Sequence, residues 1–446
     1  MFKIGCAEEE LKVPLFAELY GYGHYAARRN TGVHEPLYCR AFSFNDGIRR
    51  AMIVSSDLCV TDDQFARELR ARIATKLRIN PEGVAFAATH THSGPALYAE
   101  SPDTSGIRNA EFRTCWETTV MRVALAAFLD EEEIGSADAG RAPLEKPIGK
   151  NRVEPEKNIT DPAIRWVRFR RPDGSVKLLI HNHGVHGIAD SGPLYYKVSS
   201  DWMGAANRLI REQNLAGYAL FLQGPAGDVN TRTTCAAEKK ETVGTELGSE
   251  YVRYLASGLA DGEALSLGEI GFALKTFEFP VIRQTPEELR ADADSFRARG
   301  RNDRERDYWA VNAQRLDEMA LLTEKGFDLG SCHDLQVIRL GGAEIFFVPG
   351  ELYIEPGMAL LEKAEAGFPL AATVSNGAGQ YFFTEKSGLR YPRASSTAEK
   401  LFGYYEIYGY MHQLRFRYRN DIASFVVGNL LAMEKALESF SEKGHQ

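Results

Sequence analysis

Short apolar runs closed by turn residues recur along this chain and define its elements. Ala51–Ser55, Val84–Ala88, Ile164–Phe169, Val176–Ile180, Tyr218–Leu222, Glu344–Val348 and Leu370–Val374 have strand length and are predicted as strands, most of them buried. Between the first two, Phe65, Leu69, Ile73 and Leu77 recur every four residues behind Asp62, which predicts an amphipathic helix with a side-chain cap. Strand, helix and strand in that order make a β-α-β unit with parallel strands. A second helix is expected over Glu111 to Asp130, with Phe112, Trp116, Val120, Val123 and Ala127 as its core stripe. Pro172-Asp173-Gly174 and Gly341-Gly342 each separate two strands and predict hairpins. Ser199-Ser200-Asp201 is expected to cap a short helix carrying Met203, Leu209 and Ile210.

One stretch breaks the pattern. Thr285-Pro286-Glu287-Glu288 is a capping box with proline at the first helical position, and the chain to about Lys325 is densely charged with helical spacing. Residues 285 to 325 are read as a helical hairpin inserted in the main unit, with a solvated face. No repeat, low-complexity tract or Pro- or Ser-rich linker divides the 446 residues. The expectation is a single α/β catalytic domain over residues 1–446, with mixed β-sheets flanked by helices.

A formal net charge of −8 gives no basic footprint for nucleic acid or an anionic membrane. Met1 to Glu10 contains no apolar signal core, and no later run approaches membrane-spanning length, so a cytoplasmic location without membrane insertion is expected. The six cysteines lie far apart with no Cys-x-x-Cys pair, which suits reduced thiols and excludes a cysteine zinc cluster. The expected partner is a small molecule, and a homo-oligomer is compatible with the charged hairpin.

Chemistry collects where the strands end. Val84–Ala88 runs into Thr89-His90-Thr91-His92, and alternation along a strand lets both imidazoles face one cavity. Ala51–Ser55 ends in Ser56-Asp57 at the same sheet edge. Val176–Ile180 runs into His181-Asn182-His183-Gly184-Val185-His186, where at least one histidine is expected to bind metal. Tyr218–Leu222 leads to Gly227-Asp228, Glu344–Val348 to Gly350-Glu351, and Leu370–Val374 to Asn376 through Tyr381. Strand ends spread over nearly 300 residues thus offer donors to one site. The stretch 13 to 40, with Gly21, Gly23, His24 and His34, either lines that site or makes ordinary turns.

Thr89-His90-Thr91-His92-Ser93-Gly94-Pro95, Asn151-Arg152, Val185-His186-Gly187, Ser199-Ser200-Asp201, Gly227-Asp228-Val229, Gly350-Glu351 and Asn376 through Tyr381 resemble the catalytic domain of the neutral/alkaline non-lysosomal ceramidases, in the same order over about residues 1 to 400. The resemblance implies one zinc ion per chain, held by His90, His186, Glu351 and Tyr381, with Tyr391 as a second, substrate-facing tyrosine. Two imidazoles, a carboxylate and a phenolate also form a reasonable zinc donor set in their own right. The chain departs from the family at Asn230, where the Gly-Asp-Val element continues in the family with a serine essential to catalysis. Neither the secretion signal nor the immunoglobulin-like domain usual there is expected from these residues.

The resemblance thus implies a zinc-dependent hydrolase that cleaves an amide or ester bond by metal-activated water, with a substrate other than ceramide. His92 is the candidate general base or acid, with Asp57 or Asp228 as the carboxylate that orients it. Arg152 either binds the oxyanion or makes an exposed ion pair, and Asn230 is a hydrogen-bond donor to substrate. Two alternatives stay open: a lyase or isomerase that uses zinc only to polarise a carbonyl, and an inactive small-molecule binding protein. A metal-dependent amidohydrolase barrel also places His-x-His after a strand. It needs further histidines on separate later strands, whereas here the next three share one segment.

Overall fold

The computed structural model describes residues 1–22, 28–97, 109–299, 303–365, 367–393, 403–408 and 416–443. The fold is mixed α/β. Its three larger sheets follow one plan: antiparallel strands ending in a single parallel pair at one edge. In the first sheet the order is Val84–Ala88, Arg50–Ser56, Leu37–Asn45, Lys3–Leu11 and Glu132–Glu133, with the first two parallel. The second runs Tyr218–Gln223, Val176–His183, Ala163–Arg170, Ser136–Pro143 and Glu263–Leu265, again with the first two parallel. The third runs Ile270–Phe279, Ser331–Leu340, Ala343–Phe347 and Phe368–Ala372, with the last two parallel.

Both predicted hairpins form, and so does the β-α-β unit, whose helix Asp63–Leu77 is capped by the Asp62 carboxylate. The helix expected behind Ser199-Ser200-Asp201 forms as Asp201–Glu212, though without a side-chain cap bond from Ser200, because Asp201 itself turns its carboxylate back onto the amides of Ala189, Asp190 and Trp202.

The three parallel pairs meet, and their meeting explains why their strands carry apolar residues on both faces. Phe42, Phe44, Ile53, Ala85, Val167, Ile180, Leu222, Ile338, Phe347 and Leu370 form one cluster drawn from all three sheets. Two buried asparagines join the sheets. Asn182 Nδ2 donates to the carbonyls of Leu222 (2.8 Å) and Ala371 (2.9 Å), and Asn376 exchanges two 2.9 Å bonds with the backbone of Phe86. The carboxyl ends of these strands therefore converge, which is where open α/β sheets place ligands.

Several strands were not foreseen, Lys3–Leu11 and Leu37–Asn45 among them. Lys3–Leu11 carries Glu8-Glu9-Glu10, which reads as solvated, yet Glu8 pairs with Arg40 and Arg211 and Glu9 with Arg122. Leu37–Asn45 contains Arg40, buried because Asp57 receives it. Helices Pro286–Arg297 and Asp303–Glu324 follow the Thr285–Glu288 capping box. They are not merely a solvated face. Leu289, Phe296, Trp309, Leu316 and Met319 join a cluster with Tyr404 and Tyr408, so the pair backs the segment that carries Glu406. Among the described residues no helix is long and apolar enough to cross a membrane.

Candidate metal centre

Three side chains from three sheet ends point at one another. His186 Nε2 lies 3.0 Å and His90 Nε2 3.5 Å from the same Glu351 oxygen, Oε2. His90, His186 and Glu351 thus form a compact potential metal-binding set. Local backbone explains the aim. His90 leaves its strand with φ 67, a left-handed turn that throws the ring inward, and Glu351 is fixed by its amide on the Gln380 carbonyl at 2.6 Å.

The second nitrogen of each histidine settles its tautomer. His90 Nδ1 faces the Cys59 carbonyl at 2.7 Å, and His186 Nδ1 faces the Val229 carbonyl at 3.0 Å. A carbonyl only accepts, so both Nδ1 atoms carry hydrogen and both Nε2 lone pairs face Glu351. His186 Nε2 and Glu351 Oε2 are buried without a hydrogen-bond partner. Two imidazole lone pairs turned on a carboxylate would repel, and a shared cation or proton is what such a set requires.

Electrostatics point the same way. Burial pushes the His186 pKa down to about 4, which keeps this ring in the neutral, metal-binding form. Glu351 is raised by burial, but His90 and His186 outweigh that and hold its carboxyl well below the ordinary range. Burial also works against a charge on His90, yet Cys59 and Glu351 prevail and lift it well above free imidazole. The same Nε2 therefore takes either a proton or a metal ion.

His92 lies beside the set, its Nε2 3.3 Å from His90 Nε2, with the ring 5.3 Å from that of His186. Burial and the adjacent His90 and His186 hold its pKa well below the usual value. Neither carboxylate expected to orient it does so. Asp57 is taken by Arg40, at 3.0 Å to each oxygen, and by the Tyr38 amide. Asp228 accepts from Ile354 N and Asn151 Nδ2, both at 2.8 Å, and burial lifts it to about 6. What presses on His92 instead is the 13–40 stretch. A Cβ on Gly21, where φ is +125, would sit 2.5 Å from His92 Cγ, and Tyr22 meets the ring edge-on at 5.2 Å. His24 lies outside the described residues, and His34 is 4.0 Å from Asp190.

Arg152 is largely shielded and makes its ion pair inside the fold, not on an exposed surface. Its Nε pairs with Glu406 at 2.8 Å, Nη1 donates to Asn230 Oδ1 at 3.0 Å and Nη2 to the Gly227 carbonyl at 2.7 Å. The guanidinium lies 5.5 Å from the centre of the Tyr381 ring. Tyr381 comes from the strand paired in parallel with Glu351 and lines, with Tyr20, Gly21, Cys59, Glu351 and Tyr405, a cavity of about 20 Å³. Its phenol is buried and shifted well above the ordinary value by burial and then Glu351. Tyr391 lies apart, packed on Tyr404, with its carbonyl receiving Tyr408 Oη and Arg417. His181 and His183 stay within their strand and face Tyr251, Asn207 and Asp161.

Sequence reasoning missed Glu406 and Trp202, whose indole donates to the His186 carbonyl at 3.0 Å. Glu406 had a readable signal: a lone carboxylate inside Tyr404-Tyr405-Glu406-Ile407-Tyr408 predicts a buried charge in need of a cation.

The sequence profile of the family described as "Neutral/alkaline non-lysosomal ceramidase, N-terminal" matches residues 2–242. The chain belongs to the neutral/alkaline non-lysosomal ceramidase family. It is 24% identical over 296 residues to the neutral ceramidase of Pseudomonas aeruginosa, a match that takes in 63% of this chain and 42% of that protein, less than half of its length. The crystal structure of neutral ceramidase from Pseudomonas aeruginosa superposes with a TM-score of 0.73 at 17% identity, covering 98% of this chain and 74% of that one. A structure described as ceramidase complexed with C2 superposes with a TM-score of 0.72, also at 17% identity, covering 98% and 75%. The ceramidase fold is thus shared nearly throughout.

Proposed function

We propose that this ceramidase-family chain is a zinc-dependent hydrolase of amide or ester bonds whose substrate is not ceramide. The observation that carries the reading is the convergence of two Nδ1–H imidazoles, His90 and His186, on the Glu351 carboxylate, with buried donor atoms left over. These residues fit a zinc ion as three ligands, and Tyr381 is the proposed fourth. Zinc so held polarises a carbonyl and lowers the pKa of water.

The chain's own residues supply the rest. His92, neutral and buried beside His90, is the proposed base and acid that carries the proton from water to the leaving group. Arg152, locked by Glu406, Asn230 and Gly227, presents a fixed positive charge next to Tyr381 and Glu351 for a developing oxyanion. Asn230 supports Arg152 through its Oδ1 and is no nucleophile, so no covalent intermediate is expected.

Turnover of an amide and ester panel by zinc-loaded protein tests this reading. Asn230→Ala should lose about a hundredfold or more yet remain active. His92→Ala should lose about a hundred- to ten-thousandfold, with metal still bound. Trapping an acyl group on any side chain, or a wild-type rate in His92→Ala, refutes the mechanism.

A further inference from the structure

The arm in front of the metal centre buries an arginine that no carboxylate among the described residues pairs with. Arg28 is 3% exposed, and its carbonyl is held by the Leu19 amide at 2.8 Å. The neighbouring residues are pinned to the histidine loop through the Tyr20 amide on the Gly94 carbonyl at 3.0 Å and a bridge between Leu19 and Pro95. The guanidinium lies between the rings of Tyr22 and Tyr195, at 4.8 and 4.9 Å, and Nη2 donates to the His92 carbonyl.

The Tyr195 side chain also hydrogen-bonds the group. Nε and Nη1 are buried without a hydrogen-bond partner, and among the described residues no carboxylate pairs with the group. Two aromatic faces attract a cation but do not neutralise it. A guanidinium cannot shed its proton, so a fold that buries one unpaired holds a costly group. Holding the His92 carbonyl needs only a single neutral donor, so it does not explain the charge.

Other orphaned groups gather at the same place. Tyr22 Oη, Ser93 Oγ and His92 Nδ1 are all buried without partners. Tyr22 touches both Arg28 and His92, Ser93 follows His92 in the chain, and His92 reaches to 3.3 Å from His90. One full positive charge with hydroxyl donors around it matches a single negative charge with two acceptor oxygens.

We propose that Arg28, assisted by Tyr22 and Ser93, binds a carboxylate on the substrate adjacent to the bond that is cleaved, so that the enzyme acts on carboxylate-bearing amides or esters. The inference rests on the hydrolase reading above and deepens it. Arg28 is a specificity-determining residue: it fixes one end of the substrate against the His92 side of the centre and leaves the reacting carbonyl to the metal side.

The test uses matched pairs, N-acyl amino acids and their uncharged carboxamides, on zinc-loaded wild type, Arg28→Gln, Arg28→Lys and Tyr22→Phe. Wild type should favour the acid. Arg28→Gln should lower the acid-to-amide ratio of kcat/KM by about ten- to a hundredfold, mostly through KM, as expected for loss of a charge-assisted hydrogen bond. Arg28→Lys should retain part of the ratio, since it keeps the charge but not the fork, and Tyr22→Phe should reduce it less than Arg28→Gln. Should Arg28→Gln not fold, the Lys and Phe variants carry the comparison. An equal ratio in wild type and the variants overturns the proposal and leaves the hydrolase reading standing. Turnover of neither member alongside turnover elsewhere on the amide and ester panel overturns the carboxylate proposal, and turnover nowhere on that panel overturns the hydrolase reading instead. Calorimetry of the same pairs then decides: tighter binding of the acid in wild type only sustains carboxylate recognition, and equal binding refutes it.

Discussion

Replacing Glu406 by glutamine removes the fully buried charge of a pair whose other member, Arg152, keeps only 9% of its side chain exposed. Glu406 is 0% exposed, and its Oε1 lies 2.8 Å from Arg152 Nε. The remaining nitrogens of Arg152 are fixed on Asn230 and Gly227, so the guanidinium cannot swing out to solvent without breaking both bonds. It cannot lose its proton either. Glu406→Gln should therefore cost about 3–5 kcal/mol, the usual result of orphaning one member of a buried pair. Arg152→Met leaves a carboxyl that burial already lifts above its ordinary value and that can take up a proton, which relieves part of the loss. Against this, the Gly227 carbonyl loses its donor, at about 1–3 kcal/mol. The double variant Arg152→Met, Glu406→Gln removes both charges and should lie well above the sum of the singles, with a coupling of at least about 2 kcal/mol. Urea unfolding followed by tryptophan fluorescence, in chelator so that metal affinity does not enter, measures all four proteins. A loss under about 1 kcal/mol for Glu406→Gln, or simple additivity, would refute the reasoning.

Gly21→Ala would place a methyl group 2.5–2.7 Å from His92 Cγ, Cβ and Cα at a φ of +125. Relief needs a shift of about 1 Å in His92, for a loss of about a hundredfold in turnover at unchanged metal content; loss of the metal would show that the contact lies elsewhere. For Asp228 the sign is that of a raised carboxyl. Its pKa of about 6 in the fold, against 3.8 ordinarily, means that the native state keeps a proton the unfolded chain has shed. Stability from this group is present below pH 4 and falls by up to about 3 kcal/mol as pH rises to 6. Asp228→Asn should flatten that slope in pH-dependent urea curves, and an unchanged slope counts against the burial argument.

The donors were readable because each stands where a short apolar run stops, and such runs end at a sheet edge whatever the sheet's neighbours are. That rule put His90 and Glu351 at sheet edges and left His181, His183 and His186 as equals, so the choice of His186 came from the family resemblance. Which of three clustered histidines turns inward was not readable: His181 and His183 lie two apart in a strand and face the helix layer, whereas Gly184 and Val185 carry the chain round before His186. Asp57 was misplaced as a partner for His92 because Arg40 lies on a strand whose polar content concealed it. Charges cancelled between residues far apart in the chain leave no trace in a local pattern. The Glu8–Arg40–Asp57 and Arg152–Glu406 pairings are of that kind.

Metal analysis of protein purified without chelator bears most directly on the central claim that His90, His186 and Glu351 hold zinc. Wild type should carry about one equivalent, as expected for a single closed set of ligands, and the His90→Ala, His186→Ala double variant should carry almost none. Full metal content in the double variant, folded as judged by its far-UV spectrum, would contradict the account.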